Sequence, residues 1–100
     1  MRRGELWTAA AGQGYAGKPR PVLIVQDDRF DATDSVTVCP LTNTTVAIPL
    51  LRIPLQPNKT NGLTTTSSIM IDKISTVRRS RLGQRIGTVS KTEMLQLERG

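Results

Sequence analysis

Short apolar runs alternate with turn-forming residues along this chain, a pattern typical of a mainly β protein. The continuous run Val22–Val25 predicts a strand that is buried on both faces. The stretch Ser35–Thr42 alternates apolar and polar residues, as expected for a strand with one buried face. Two further strands are predicted at Glu5–Ala10 and Ser67–Ile74.

The region between these strands is less regular. Apolar residues dominate Ile48–Leu55, but Pro49 and Pro54 interrupt the run, which predicts an edge strand or a bent strand. The remaining predictions are a turn at Asn58–Leu63, one helical turn at Thr76–Leu82 and a short strand at Arg85–Val89.

A helix is predicted at the C-terminal end. Ser90 and Glu93 have the spacing of a capping box, in which each side chain binds a backbone N–H of the other residue. Met94, Leu95 and Leu97 follow and are predicted to face the core. Six short strands and one C-terminal helix indicate a mainly β (α+β) fold, a small twisted barrel.

The length of 100 residues, 37% of them hydrophobic, indicates a single domain over residues 1–100. The longest apolar runs are far shorter than the roughly 18 residues of a membrane-spanning helix. The basic residues near the N-terminus precede no apolar stretch of the kind found in a signal peptide. We therefore expect a cytoplasmic protein without a membrane partner.

Positive charge is concentrated in the second half of the chain. The sequence has 14 Lys and Arg against 8 Asp and Glu, a net charge of +6. Residues 1–50 contain equal numbers of basic and acidic groups, so the whole excess lies in residues 51–100. Ten of the basic residues are Arg, whose planar guanidinium pairs with two phosphate oxygens at once. An anionic partner rich in phosphate is the simplest expectation.

Several kinds of chemistry are unfavourable for this composition. There is no His to act as the base of a hydrolase triad, and the single Cys39 predicts a buried thiol without a redox partner. We expect no metal and no cofactor. The glycines of Gly12–Gly17 match a dinucleotide-binding pattern, but a proline-rich strand start follows them where a helix is required. A loop at Ala11–Lys18 is the better interpretation.

RNA cleavage is the reaction that this composition still allows. The substrate supplies its own nucleophile, the ribose 2′-OH. The protein needs only to remove that proton, stabilise the phosphate and protonate the leaving 5′-oxygen. Arg, Asp and hydroxyl side chains suffice for these tasks.

Five segments of the chain resemble the MazF/PemK family of toxins. They are Arg3–Trp7, Gly17–Val25, Val38–Thr42, Ser68–Val77 and Leu82–Ser90. The resemblance implies an SH3-like barrel, a homodimer, and a metal-independent endoribonuclease that cuts single-stranded RNA at short sequences. The target would be messenger RNA, with ribosomal or transfer RNA as alternatives, and cleavage would inhibit translation and growth. A cognate acidic, MazE-like antitoxin would neutralise the enzyme.

The resemblance also implies catalytic residues. Arg20 matches the catalytic Arg of the family, Thr42 matches its active-site Thr or Ser, and Asp72 matches the Asp that acts as general base in the PemK branch. This sequence has Met70 where that branch has a second Arg, and it lacks the loop His. A mechanism based on Arg20 and Thr42 is therefore favoured over one centred on Asp72, with Glu5 as a lower-ranked alternative base.

Basic residues outside the catalytic set are predicted to bind RNA. Arg78, Arg79, Arg81 and Arg85 bring four positive charges within eight residues, and Lys18 lies in the glycine-rich loop. The Arg residues also fit a solvated face, or a surface that binds the acidic antitoxin.

Two functions of other classes stay open at this stage. CcdB-type toxins share the fold implied here but poison DNA gyrase without cutting nucleic acid, and fold alone does not separate the two activities. A catalytically inert relative that binds RNA or titrates antitoxin is the third hypothesis.

Overall fold

A curled antiparallel β-sheet with one helix at its C-terminal end forms the structure. The computed structural model describes residues 2–10, 20–30, 33–42 and 52–99. Its strands and helix are β1 (Glu5–Ala9), β2 (Arg20–Ile24), β3 (Ser35–Thr42), β4 (Arg52–Leu55), β5 (Ser67–Met70), β6 (Ser75–Arg78), β7 (Leu82–Thr88) and α1 (Lys91–Arg99).

Strand β3 is the centre of the sheet. Six strands follow the path β4-β5-β3-β2-β1-β7, and β6 also pairs with β3. The N-terminal half of β3 pairs with β6, whereas its last residues, Leu41 and Thr42, pair with β5. Because β5 and β6 pair with the same edge of β3, the sheet changes direction along β3. The mainly β fold class predicted from the sequence is confirmed.

Both faces of the central strands are buried. The inner face contributes Leu6, Leu23, Val25, Cys39, Leu41, Ile53, Leu55 and Ile69 to one apolar cluster, against which Met94 and Leu97 of α1 pack. The opposite face contributes a second cluster of Ala9, Val22, Ile24, Val36, Val38 and Leu82. Successive side chains of a strand point to opposite faces, so β2 and β3 supply both clusters. The prediction that Val22–Val25 is buried on both faces is confirmed.

Several other predicted elements are found in the structure. Strand β3 has the predicted bounds, and β1 ends one residue before the predicted Ala10. Strand β4 lies at the end of the sheet path, as the prolines of its sequence suggested. Residues 48–51 of that prediction, and the loop predicted at Ala11–Lys18, lie outside the described residues.

The prediction of one strand over Ser67–Ile74 is wrong. The chain forms β5, then a 3-10 turn at Ile71–Lys73, then β6. The two strands pair with different parts of β3, and the turn shifts the chain from one position to the other. The alternating pattern contains no sign of this break, because both strands keep the same period of two.

The prediction for the next segment was also inaccurate. A helical turn was expected over Thr76–Leu82, but β6 extends to Arg78 and only Arg79–Arg81 forms a 3-10 turn. Strand β7 then begins at Leu82, before the predicted start at Arg85. Backbone pairing with β1 holds this early part of β7 in the sheet.

The capping box at the start of α1 is confirmed. The backbone N–H of Ser90 donates to Glu93 Oε1 at 2.8 Å, and the N–H of Glu93 donates to Ser90 Oγ at 3.1 Å. Met94 and Leu97 pack against the core as predicted. Leu95 does not, because its side of the short helix faces solvent and the residue is 51% exposed. Within the described ranges, no helix has the length and apolarity needed to cross a membrane.

Candidate active site

Arg20 and Thr42 lie opposite each other on adjacent strands. Arg20 is the first residue of β2, and Thr42 is the last residue of β3. The register between these strands pairs Val22 with Pro40, and its continuation by two residues places Arg20 opposite Thr42. Opposite residues of an antiparallel pair share a face, so both side chains project to the same side of the sheet.

A groove with a cavity volume of about 590 Å³ lies on this side of the sheet. Arg20 and Thr42 line it, together with Lys73 and Ser75. Its apolar surface comes from Val22, Val38, Pro40, Met70 and Val77. We call this cavity the large groove. It combines two cationic side chains and two hydroxyls with an apolar floor, a composition suited to a phosphodiester attached to bases.

A second, smaller cavity of about 160 Å³ adjoins the large groove. Arg20, Leu41 and Thr42 line both cavities. Leu63, Thr64, Thr65 and Ser67, together with Pro21, complete the small cavity. The two predicted catalytic residues therefore lie where the cavities meet.

Lys73 is a groove residue that the sequence did not reveal as a functional candidate. The 3-10 turn between β5 and β6 places its side chain in the lining of the large groove. Asp72, the preceding residue, is exposed on the same turn and does not line either cavity. The sequence predicted one continuous strand here. The 3-10 turn replaces part of that strand, and Lys73, not Asp72, lines the groove.

Met70 lines the large groove, at the position where the resemblance to the PemK branch implies a second Arg. A thioether supplies dispersion and no charge. The described cations in the lining of the large groove are thus Arg20 and Lys73.

The arginines predicted to bind RNA do not line either cavity. Arg78 and Arg81 are exposed at the β6–β7 connection, and the backbone carbonyl of Arg81 accepts a bond from the Ala10 N–H. Ala10 itself lines the large groove, so this connection lies at the rim of the groove.

The remaining two predicted RNA-binding arginines make structural contacts. Arg79 donates its Nε–H to the Thr33 carbonyl at 2.8 Å, which ties the 3-10 turn to the chain before β3. Arg85 forms an ion pair with Glu5 at 3.0 Å. Lys18, the fifth predicted RNA-binding residue, lies outside the described residues.

Glu5 is fully engaged by hydrogen-bond donors. Its Oε1 accepts from the Arg2 backbone N–H and the Trp7 indole, and its Oε2 accepts from Arg85. Partial burial raises the pKa of Glu5, but these hydrogen bonds and the Arg85 charge outweigh it and lower the pKa below the ordinary value. A carboxylate in this state is a weak base, and Glu5 is absent from both cavity linings.

Cys39 is buried and unpaired, as predicted. Burial raises the pKa of its thiol, more than the Arg3 charge lowers it. The thiol is therefore neutral and packs as a small apolar side chain. Among the described residues, no three His, Cys, Asp or Glu side chains cluster in a way that holds a metal ion.

The described structure is thus a curled antiparallel β-sheet with a groove lined by cationic and hydroxyl-bearing residues. Comparison with known proteins identifies the family: residues 2–100 match the PemK-like, MazF-like toxins of type II toxin-antitoxin systems, and this chain belongs to that family.

Relatives of known sequence support the assignment over the whole chain. The chain is 57% identical over 99 residues to the probable endoribonuclease MazF of Mycolicibacterium smegmatis, covering 99% of this chain and 91% of that protein. It is 31% identical over 107 residues to endoribonuclease MazF9 of Mycobacterium tuberculosis, covering 98% of this chain and 90% of that protein.

Solved structures agree with the fold. The Mycobacterium tuberculosis toxin MazF-mt6 superposes with a TM-score of 0.81 at 26% identity, covering 95% of this chain and 89% of that chain. A mycobacterial endoribonuclease in complex with its cognate antitoxin gives a TM-score of 0.79 at 26% identity, covering 98% of this chain and 87% of that chain. The gyrase-poison alternative receives no support from these comparisons.

Proposed function

We propose that this protein is a sequence-specific endoribonuclease toxin that cuts single-stranded RNA within the large groove. The observation that carries the proposal is the position of Arg20 and Thr42, opposite each other where the two cavities meet. The supporting relatives are named as endoribonucleases. Inhibition of translation, by cleavage of messenger RNA, is the cellular effect that follows.

The chemistry of the groove fits attack by the ribose 2′-OH on the adjacent phosphate. Negative charge develops on the phosphoryl oxygens as the fifth bond to phosphorus forms, and the Arg20 guanidinium stabilises that charge with two hydrogen-bond donors. The Thr42 hydroxyl donates a further hydrogen bond to a phosphoryl oxygen. The bond from phosphorus to the 5′-oxygen breaks as the bond from the 2′-oxygen to phosphorus forms. The 2′-OH proton passes to solvent and the departing 5′-oxygen takes up a proton from solvent, which leaves a cyclic phosphate on one fragment and a 5′-hydroxyl on the other.

Lys73 is the second cation of the site. Its ammonium binds the phosphate backbone as a point charge and needs no fixed orientation. It lies on the turn Ile71–Lys73 and lines the same groove as Arg20.

Charge stabilisation is the main contribution of the protein in this proposal. Among the residues that the structure describes, no carboxylate lines either cavity. Asp72 is exposed on the turn beside Lys73, and its role as the general base stays a prediction with its own test below.

The partners of the proposed enzyme follow from its charge and its family. A net charge of +6 suits both single-stranded RNA and an acidic MazE-like antitoxin. The mycobacterial relative was solved with its cognate antitoxin. The proposal includes a homodimer, action in the cytoplasm, where messenger RNA is translated, and a reaction without metal or cofactor.

Cleavage of a mixed pool of unstructured RNAs in excess EDTA tests the proposal. The wild-type protein should cut at one short sequence and leave cyclic phosphate and 5′-hydroxyl ends. Arg20→Ala should reduce the rate by at least about 100-fold, the usual effect of removing one preorganised donor. Arg29→Ala is the matched control, because Arg29 is exposed and pairs with Asp27 outside the groove. Absence of cleavage by the wild-type protein, or full activity of Arg20→Ala, overturns the proposal.

A further inference from the structure

The small cavity differs in chemistry from the large groove. Its wall includes the hydroxyl-bearing residues Thr64, Thr65 and Ser67. Ser67 Oγ donates to the Thr65 carbonyl at 3.1 Å. Within the described part of the chain, the Thr64 and Thr65 hydroxyls make no hydrogen bond to protein atoms. These two hydroxyls are therefore available to a bound molecule.

Hydrogen bonds from the buried Asn61 side chain fix the turn that precedes Thr64 and Thr65. This side chain is 1% exposed, and its Oδ1 accepts from the backbone N–H groups of Asn58 and Leu63 at 3.1 and 3.0 Å. Its Nδ2 donates to the Gln56 carbonyl at 2.8 Å. This buried amide, with three hydrogen bonds to the backbone, fixes the turn that leads into Thr64.

Two glycines allow the same turn to lie directly on β7. Gly62 has a φ of +68°, and a Cβ there would overlap the carbonyl oxygen of Ile86. A Cβ on Gly87 would overlap the backbone of Thr60 and Asn61. The wall of the small cavity is thus attached to the sheet, and its hydroxyls have a defined position relative to Arg20 and Thr42.

We infer that the small cavity reads one nucleobase immediately beside the scissile phosphate, with Thr64 and Thr65 as specificity-determining residues. This inference rests on the proposed function. A phosphate bound by Arg20 and Thr42 lies at the junction of the two cavities, so the nucleotides on its two sides extend into different cavities. One flanking base enters the small cavity, and the rest of the strand follows the large groove.

The size and lining of the small cavity fit this role. Its 160 Å³ equals about five times the ~30 Å³ occupied by one water molecule in the liquid. That space accommodates one unstacked base. Leu63 and Pro21 offer apolar surface to the ring, and hydroxyls both donate and accept hydrogen bonds at a base edge. Sequence-specific recognition of single-stranded RNA uses such contacts to the edges of splayed-out bases.

Three adjacent threonines provide a matched test. Thr64→Val and Thr65→Val remove the hydroxyls and keep the side-chain shape. Thr66→Val is the control, because Thr66 bonds to Gln56 Oε1 and does not line the cavity. The substrate is an RNA pool randomised at both positions flanking the wild-type cut, with the new ends sequenced and the melting temperature of each variant measured.

The expected result is a loss of preference at one flanking position. Cleavage at the preferred base should fall about fivefold for each removed hydroxyl, the equivalent of one ordinary hydrogen bond, while cleavage at the other bases is retained. Thr66→Val should keep the wild-type preference, and all three variants should keep the melting temperature.

Failure of this inference is distinguishable from failure of the proposed function. A wild-type protein that cuts no RNA contradicts the proposed nuclease. A wild-type protein that cuts, with flanking preferences unchanged in the Thr64→Val and Thr65→Val variants, overturns only the base-reading role. An equal decrease at all bases assigns these residues to general RNA binding and also overturns it.

Discussion

Lys73 lines the groove that contains Arg20 and Thr42, whereas Asp72, its neighbour on the same 3-10 turn, does not. In a continuous strand, as predicted for Ser67–Ile74, these two side chains would alternate across the sheet. The turn instead brings Lys73 into the lining of the groove and leaves Asp72 out of it, although both residues are exposed to solvent. This arrangement favours binding of a phosphate backbone over proton abstraction by Asp72.

Removal of the Lys73 charge should weaken RNA binding with a characteristic salt dependence. Each cation that neutralises a phosphate on a single strand releases a counterion, which contributes a slope of about −0.7 to the plot of log affinity against log salt concentration. Lys73→Met should make that slope less steep by about 0.7. The measurement is the Kd of an oligonucleotide with a 2′-deoxy substitution at the cut site, from 50 to 200 mM salt. Lys59→Met, on an exposed turn outside both cavities, should leave the slope unchanged.

Asp72→Asn should cost less than about tenfold in cleavage rate. General bases usually contribute 10² to 10⁴-fold, and Asp72 is not among the residues that line the two cavities at Arg20. Single-turnover rates across the pH range 5 to 9 are the measurement. A loss of 100-fold or more at every pH, with an unchanged melting temperature, would show that Asp72 acts in catalysis.

The strands could be predicted because each has its own hydrophobic period. Strand β3 has the predicted bounds for this reason, and the capping box located the start of α1. The break at Ile71–Lys73 could not be predicted, because it depends on which part of β3 each flanking strand pairs with. That pairing is a tertiary property, and the local sequence has the same alternation on both sides.

The candidate site was predictable only in part for a related reason. Arg20 and Thr42 were identified through the resemblance, and the β2–β3 register places them together. Lys73, Thr64 and Thr65 were not predicted as site residues, and they line the cavities because two turns fold against the sheet. The cluster of arginines was visible in the sequence, yet Arg79 is used to hold a turn.

Asn61→Ala should destabilise the protein by about 3 kcal/mol. The substitution leaves two backbone N–H groups and one carbonyl without their partner, and a buried unsatisfied polar group costs on the order of 1 to 3 kcal/mol. Water that hydrogen-bonds to the freed groups of exposed neighbouring residues offsets part of this total free-energy cost. Urea unfolding gives the free energy of unfolding, and Thr60→Ala on the exposed part of the same turn should stay within about 0.5 kcal/mol of the wild type. A change below 1 kcal/mol in Asn61→Ala would mean that the turn is not held by this amide.

The ionised Glu5 carboxylate should stabilise the fold at neutral pH and lose that effect in acid. Its pKa is lower in the folded protein than the ordinary value of 4.5, because the bonds from Arg2, Trp7 and Arg85 outweigh the effect of partial burial. A lowered folded-state pKa means that the unfolded chain binds more protons, so stability rises with pH in that range. The contribution is complete well above pH 4.5 and disappears as the pH falls through the folded-state pKa.

Glu5→Gln isolates this contribution. The variant should have a lower free energy of unfolding than the wild type at pH 7, and the difference between the two proteins should shrink at pH 3.5. Urea unfolding of both proteins at pH 7, 5 and 3.5 gives the comparison, because all other carboxyl groups titrate in both. A difference that stays constant from pH 7 to pH 3.5 would mean that the charge of Glu5 is unimportant and that only the shape of its hydrogen-bond acceptor matters. A decreasing difference would show that the Glu5 charge, which pairs with Arg85 between β1 and β7, stabilises the fold.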